Sequence, residues 1–262
     1  MKVDLSGKVA VVTGSGRAIG RAIAKSLVEN GCKVVVATRT AATGQAVVDE
    51  LNAIAPNHGA LYAADLSTRK ACEGAISAAI DKFGALDILV HNAGVFPFTL
   101  FDELTDEEFD GTLKTNLYAM MWMARAAFPH LEKSGQGRIV AISSVIGNHS
   151  YLAGMQSYAT SKAALNGFCR NLAIEAAAKK ITVNIVEPGL IVDREDPHMP
   201  AELESAITQY IPLGRSGMPT DIATAVLFYA SPDAHWVTGQ ITIVDGGMGL
   251  ADKSAVAMAT RL

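Results

Sequence analysis

The sequence predicts an α/β fold: one domain, residues 1–262, built as a doubly wound parallel sheet with helices on both faces. Three observations predict it. Short, mainly apolar runs at 9–12, 33–38, 86–90, 138–142 and 181–186 lack the alternation of a sheet with one wet face, and suit strands buried on both faces. Between them lie longer segments with apolar residues at helical spacing, so strand and helix alternate along the chain. Glycines, asparagines and hydroxyl residues collect directly after the strand runs, where open sheets of this kind hold their ligands.

The 262 residues, 50% hydrophobic and 18% charged, can bury about three quarters of their unfolded surface in one core. The 22 Lys+Arg and 26 Asp+Glu leave a net charge of −4 with no basic or acidic block, so a nucleic-acid partner is not expected. Cys32, Cys72 and Cys169 are odd in number and far apart, as reduced buried thiols are, and show no metal-type spacing. No signal-type segment opens the chain and no apolar run is long enough to span a bilayer, so a cytoplasmic protein without a membrane partner is expected.

Taken in order, strand 9–13 runs into Thr13-Gly14-Ser15-Gly16-Arg17-Ala18-Ile19-Gly20. The next helix turns Ile23, Ala24, Leu27 and Val28 inward and closes at Asn30-Gly31. Strand 33–38, helix 43–54 and strand 60–64 follow, the last ending at Asp65-Leu66. Ser67 is expected to cap a helix reaching about Phe83. Strand 86–90 leads into His91-Asn92-Ala93-Gly94. Thr105-Asp106-Glu107-Glu108 has the capping-box pattern. The helix behind it should place Phe109, Leu113, Leu117, Met121 and Ala124 inward, with Asn116 inside it. Strand 138–142 ends at Ser143-Ser144-Val145, and a helix carrying Tyr158 and Lys162 reaches about Ala178. Strand 181–186 ends at Glu187-Pro188-Gly189. The charged run Asp193-Arg194-Glu195-Asp196-Pro197-His198, expected to be a solvated mobile loop, leads to a short helix at 201–209. Pro219 suits the first turn of a helix ending at Ala230, and 240–244 is the last strand before Asp245-Gly246-Gly247.

The opening strand–glycine loop–helix–strand unit is the half-fold of Rossmann-type dinucleotide-binding sheets. Its glycines let backbone N–H groups approach a pyrophosphate at a helix N-terminus. The spacing is a looser variant of the common fingerprint, with Gly14, Ala18 and Gly20 as the small residues. The second strand ends Ala37-Thr38-Arg39 with no acid for a ribose 2′-OH, and Arg17 lies in the loop; two guanidiniums without a carboxylate favour NADP over NAD.

Tyr158 and Lys162 stand four residues apart and share a helix face. A tyrosine is a poor acid or base near neutrality, with an ordinary pKa of about 10, and a neighbouring ammonium favours its phenolate. A shift of three units needs roughly 4 kcal/mol, more than one partly solvated ion supplies, so a second positive charge such as an oxidised nicotinamide would have to help.

Thr13-Gly14-x-x-x-Ala18-x-Gly20, Asn92-Ala93-Gly94, Asn116, Ser144, Tyr158-x-x-x-Lys162, Pro188-Gly189 and Val244-Asp245-Gly246-Gly247, in this order, resemble the short-chain dehydrogenase/reductase family in its single-domain form. Ile211-Pro212-Leu213-Gly214-Arg215 and Pro219-x-Asp221-Ile222-Ala223 look like its 3-oxoacyl-[acyl-carrier-protein] reductase branch. The resemblance implies a nicotinamide-dependent oxidoreductase interconverting a ketone and a secondary alcohol, with an Asn116-Ser144-Tyr158-Lys162 tetrad. Tyr158 would donate the proton, and Lys162 would lower its pKa and hold the nicotinamide ribose. Ser144, with Ser143 as competing candidate, would orient the carbonyl. Asn116 would hold a water that carries protons from Lys162 to solvent.

Implied cofactor contacts are Gly14, Ser15, Arg17, Ala18, Ile19, Arg39, Asp65, Leu66, Asn92, Ala93, Gly94, Tyr158, Lys162, Pro188, Gly189 and Ile191, with NADP(H) as cofactor and NAD(H) as the alternative. A substrate-closing segment at about 190–212 and a homotetramer packed through the Asn116 and Tyr158 helices are implied as well, Met120, Trp122 and Phe168 lying on their outer faces. Phe96, Phe98, His149, Tyr151 and Met155 are candidate pocket residues. Ile174 stands where the reductase branch often has an arginine suited to an acidic carrier, so an acyl carrier protein partner is left open against another small carbonyl or alcohol substrate. The other readings are an NAD-dependent alcohol or sugar dehydrogenase of the same family and a non-catalytic NADP(H)-binding sensor.

Overall fold

The computed structural model describes residues 3–196 and 199–250; Pro197 and His198 of the charged run lie outside the described residues. Seven parallel strands form one sheet in the order β3-β2-β1-β4-β5-β6-β7. They are β1 (Val9–Thr13), β2 (Lys33–Thr38), β3 (Gly59–Ala63), β4 (Ile88–His91), β5 (Arg138–Ile142), β6 (Thr182–Pro188) and β7 (Ile241–Val244). The helices are α1 (Ala18–Glu29), α2 (Ala41–Ile54), α3 (Arg69–Phe83), α4 (Asp106–Leu113), α5 (Ala119–Ser134), α6 (Gln156–Ala177), α7 (Ala201–Thr208) and α8 (Pro219–Ala230).

Alternate residues of each strand feed two cores. Val9 and Val11 join α3, α5 and α6 on one face, while Ala10 and Val12 join α1, α2 and α8 on the other. Each buried valine contributes about 1.5–3 kcal/mol, so a run without polar residues is what two covered faces require. Strand order reverses between β1 and β4, which opens a crevice at their carboxyl ends. The Gly14 loop and the Asn92 turn both follow strands at that crevice.

Three local expectations are corrected. The cap of α3 is Thr68, whose hydroxyl accepts from the Ala71 N–H; Ser67 instead uses its own N–H on the Asp65 carboxylate. Thr105 caps α4 by accepting from the Glu108 N–H, but Glu108 turns away and accepts from the Thr99 hydroxyl, so only half of the capping box forms. Between α4 and α5, Lys114–Tyr118 is a π-helical turn. Its wider turn shifts the inward face, which becomes Thr112, Asn116, Ala119, Met120, Met123, Ala124 and Ala127; of the residues expected inward, only Ala124 is buried. Phe109, Leu113, Leu117 and Met121 are left half-buried. Met120, expected on an outer face, is fully buried.

Candidate active site

The loop after β1 is built for close approach. Gly14 has φ +63°, and a Cβ there would lie 2.9 Å from the Ala93 Cα. A Cβ on Gly20 would meet the Gly14 carbonyl at 2.3 Å. Ser15 donates its hydroxyl to the Val12 carbonyl at 2.7 Å. Arg17 precedes α1 without any side-chain cap, so no side chain claims the first-turn N–H groups. Ala18, where the fingerprint favours glycine, holds φ +44°. Ile19 and Leu66 belong to the walls, half-buried and buried respectively. Arg39 and Asp65 are exposed.

Asn92 ties the two sides of the crevice together. Its side chain donates to the Thr13 and Gly14 carbonyls at 2.9 and 3.2 Å, and the Thr13 hydroxyl accepts from the Asn92 and Ala93 N–H groups, both at 2.9 Å. Gly94 leaves space, since a Cβ there would sit 3.3 Å from Asn116 Oδ1 and 3.6 Å from Lys162 Nζ.

Asn116 occupies the π-helical turn. Its Oδ1 accepts from the Val95 N–H at 2.8 Å, and its Nδ2 donates to the Val95 carbonyl and the Ser161 hydroxyl, both at 2.9 Å. Its side chain therefore joins the loop after β4 to α6, and the polar group left over is its carbonyl. That carbonyl receives a 3.1 Å hydrogen bond from Nε2 of His91, a fully buried side chain whose Nδ1 has no partner among the described residues. Burial, with Lys162 nearby, holds His91 down at about 4, so the ring is neutral.

The two serines separate cleanly. Ser143 donates to the Lys162 carbonyl at 3.2 Å, fastening β5 to α6. Ser144 accepts from the Ile146 N–H, and its hydroxyl lies beside that of Tyr158, where it favours the phenolate. Lys162 is buried and donates from Nζ to the Ile142 carbonyl at 2.8 Å, with Nζ 5.6 Å from the Tyr158 ring centroid. Burial pushes Lys162 down to about 8. Burial also raises Tyr158 above its ordinary value, and the Ser144 hydroxyl opposes the rise. In the protein alone the net direction at Tyr158 is upward, opposite to what the Lys162 charge by itself would give.

Pro188 ends β6 and Gly189 follows it. The Pro188 carbonyl accepts from Val145 N–H at 3.1 Å, and a Cβ on Gly189 would strike the Asp245 Cβ at 2.6 Å. Ile191 bridges to Gly217. The charged run beyond them is not a free loop. Asp196 lies 3.6 Å from Arg17, Glu195 pairs with Arg21, and Arg194 forks onto Glu204 of α7 at 2.7 and 2.8 Å. The segment is therefore tied to the glycine-loop helix on one side and to α7 on the other.

Around Tyr158 the surface is aromatic. Phe96 meets the Tyr158 ring edge-on at 6.4 Å between centroids, Phe98 lies against Gly154, and Tyr151 and Leu152 are exposed. Met155, a candidate pocket residue, is buried. The site also contains a group that the sequence reading did not single out, the fully buried Glu187 with Asn148, His149 and Asn166 around it. A carboxylate following the apolar Ile185 and Val186 near the end of β6 is the sequence signal that pointed to it.

A doubly wound sheet with a glycine loop at its switch point and a half-buried Tyr158 beside buried Lys162 and Ser144 beyond β5 is the architecture of a nucleotide-dependent oxidoreductase. The comparisons narrow this further. The family model described as enoyl-(acyl carrier protein) reductase matches residues 14–249. A 3-oxoacyl-[acyl-carrier-protein] reductase FabG of Vibrio cholerae is 37% identical over 94% of this chain and 99% of its own. A hydroxynaphthalene reductase-like protein Arp2 of Metarhizium guizhouense is 39% identical over 93% of this chain and 96% of its own. A 7α-hydroxysteroid dehydrogenase, solved with NADH and 7-oxo glycochenodeoxycholic acid, superposes with a TM-score of 0.87 at 34% identity, covering 93% of this chain and 95% of its own. The chain belongs to the short-chain dehydrogenase/reductase family of oxidoreductases.

Proposed function

We propose that this protein interconverts a ketone and a secondary alcohol with NADP(H), using Tyr158 as general acid and base. The observation that carries the reading is the gathering, around one phenol, of the buried Ser144 hydroxyl and the buried Lys162 ammonium, whose Nζ lies 5.6 Å from the Tyr158 ring centroid. The residues present fit the cofactor: α1 opens with unclaimed N–H groups, Gly94 leaves room beside Lys162, and only one acceptor is recorded for the three Lys162 protons. When bound, a reduced nicotinamide supplies the hydride. Ser144 orients the substrate carbonyl and stabilises the developing alkoxide, and Tyr158 gives that oxygen its proton. Lys162 stabilises the resulting tyrosinate and holds the nicotinamide ribose. Asn116 offers its carbonyl, rather than its committed side chain, to a water leading from Lys162 towards solvent.

NADP is favoured by the exposed Arg39 after β2, by Arg17 in the glycine loop, and by the lack of an acid at that strand end. NAD(H) is the second reading, supported by the NADH bound to the steroid dehydrogenase. The apolar rim of Phe96, Phe98, Tyr151 and Leu152 suits a hydrophobic carbonyl compound. Ile174, which is 75% exposed, presents an apolar rather than a basic face to any acidic carrier protein. Residues 190–212 are the substrate-closing segment of a single cofactor-binding domain. A homotetramer is supported by exposed Tyr118 and Ile174 beside half-buried Trp122 and Phe168 on the π-turn, α5 and α6. A cytoplasmic setting is supported by three buried free cysteines. Among the described residues no helix is long and apolar enough to cross a membrane.

NADPH consumption over ethyl acetoacetate, 2-tetralone and a 7-oxo bile acid tests the reading. Turnover of at least one by the wild type and none by Tyr158→Phe is the expected result. Cofactor binding without turnover of any of them would favour a sensor.

A further inference from the structure

We propose that Glu187 is a positioning residue for the Ser144–Tyr158 pair, acting through Asn148 and His149 on the serine loop and through Asn166 on the tyrosine helix. The proposal rests on the active-site reading above. Glu187 is 0% exposed and is the penultimate residue of β6, directly after the apolar Ile185 and Val186. Removing a carboxylate from water costs several kcal/mol, and an apolar side chain at that place would carry no such cost.

The carboxylate gathers three side chains from two elements. Oε1 accepts from Asn166 Nδ2 at 2.5 Å and from Asn148 Nδ2 at 3.1 Å, and Oε2 lies 2.9 Å from His149 Nε2. Asn166 stands one helical turn beyond Lys162, and Asn148 and His149 directly follow the Ser144-Val145-Ile146-Gly147 segment. The loop's own hydrogen bonds mostly run within itself: Gly147 N–H to the Ser150 carbonyl, and the His149 and Ser150 N–H groups to the Val145 carbonyl. Gly147, with φ +126°, presses directly on α6, where a Cβ would come 2.8 Å from the Ala159 carbonyl. Glu187 holds that close approach from the far side. It thereby fixes how far the Ser144 hydroxyl stands from the Tyr158 hydroxyl, and an error of about 1 Å there costs about 100-fold in rate.

The test compares Glu187→Gln, His149→Gln and the double variant with wild type and Tyr158→Phe. It uses NADPH and whichever of the three ketones the wild type reduces fastest. Glu187→Gln keeps an acceptor for both asparagines but replaces the carboxylate oxygen that faces His149 Nε2 at 2.9 Å. A fall in kcat of roughly 10- to 100-fold is expected in each single variant, with KM for the ketone within about threefold and NADPH affinity retained. The double variant is expected to be no worse than either single one, because both break one contact. Unchanged kcat with only a lowered melting temperature would overturn the proposal, as would losses that multiply in the double variant. If Glu187→Gln does not fold, His149→Gln decides alone, since that side chain is 39% exposed. Normal turnover by Tyr158→Phe would instead defeat the active-site reading itself.

Discussion

Lys162, carried by α6, reaches across to the last residue of β5 and donates 2.8 Å from Nζ to the Ile142 carbonyl. One acceptor does not offset the burial of an ammonium, which is why burial holds this lysine down at about 8 instead of its usual 10.5. The unfolded chain keeps the proton until about pH 10.5, so the native state carries the full penalty below pH 8 and sheds it as pH rises through that window. The penalty is roughly 3 kcal/mol, and the orphaned Ile142 carbonyl would return about 1 of it on substitution. Lys162→Met should therefore be about 2 kcal/mol more stable than wild type at pH 7 in urea denaturation, should lose that lead towards pH 10.5, and should be inactive. A less stable variant at pH 7 would contradict this.

His91 predicts the acid side. Burial first, then the Lys162 charge, holds it down at about 4, against an ordinary value of 6.5. A depressed histidine contributes stability above pH 6.5 that is lost as pH falls to 4, amounting to roughly 3 kcal/mol. His91→Asn should flatten the decline in urea midpoint between pH 6.5 and 4. An unchanged slope would show that His91 is not the group titrating.

Ala18 holds φ +44° at the mouth of the glycine loop, a conformation that costs an L-residue about 1 kcal/mol. Ala18→Gly should raise the melting temperature by about 2–4 °C, and Ala18→Val should lower it. Equal melting temperatures across the three would refute the strain.

On the NADP reading proposed above, Arg39 and Arg17 would read the ribose 2′-phosphate, and Arg17 already faces Asp196 at 3.6 Å. Arg39→Ala should raise KM for NADPH at least tenfold and leave KM for NADH within about twofold. Equal effects on the two cofactors would remove the NADP preference.

Much of the fold was legible because both faces of the sheet are covered: β1, β2, β5 and α8 end where the apolar runs and Pro219 place them. The π-helical turn at Lys114–Tyr118 was not legible, since one extra residue leaves no mark in composition, yet it moves Met120 from the outside to the core. Spacing brought out Tyr158 and Lys162, the family resemblance added Ser144 with Ser143 as its competitor, and the structure commits the Ser143 hydroxyl to the Lys162 carbonyl. Residues 148, 149, 166 and 187 come from separate stretches with no shared spacing, so only the folded chain reveals their cluster. Residues 194–196 are exposed, as the charge run suggested, but their pairing with Arg17 and Arg21 was not legible because those partners lie far away in sequence. The charge of Lys162 is visible in the sequence, whereas the burial that raises Tyr158 in the protein without cofactor is not.

The ionisation of Tyr158 tests the account most directly. Phenolate absorbance, taken as wild type minus Tyr158→Phe, should titrate above pH 10 in the free protein, where burial dominates. With oxidised NADP bound, the second positive charge beside Lys162 should bring the midpoint below pH 9. A midpoint that stays above pH 9 with the cofactor in place would contradict Tyr158 as the group that exchanges the proton.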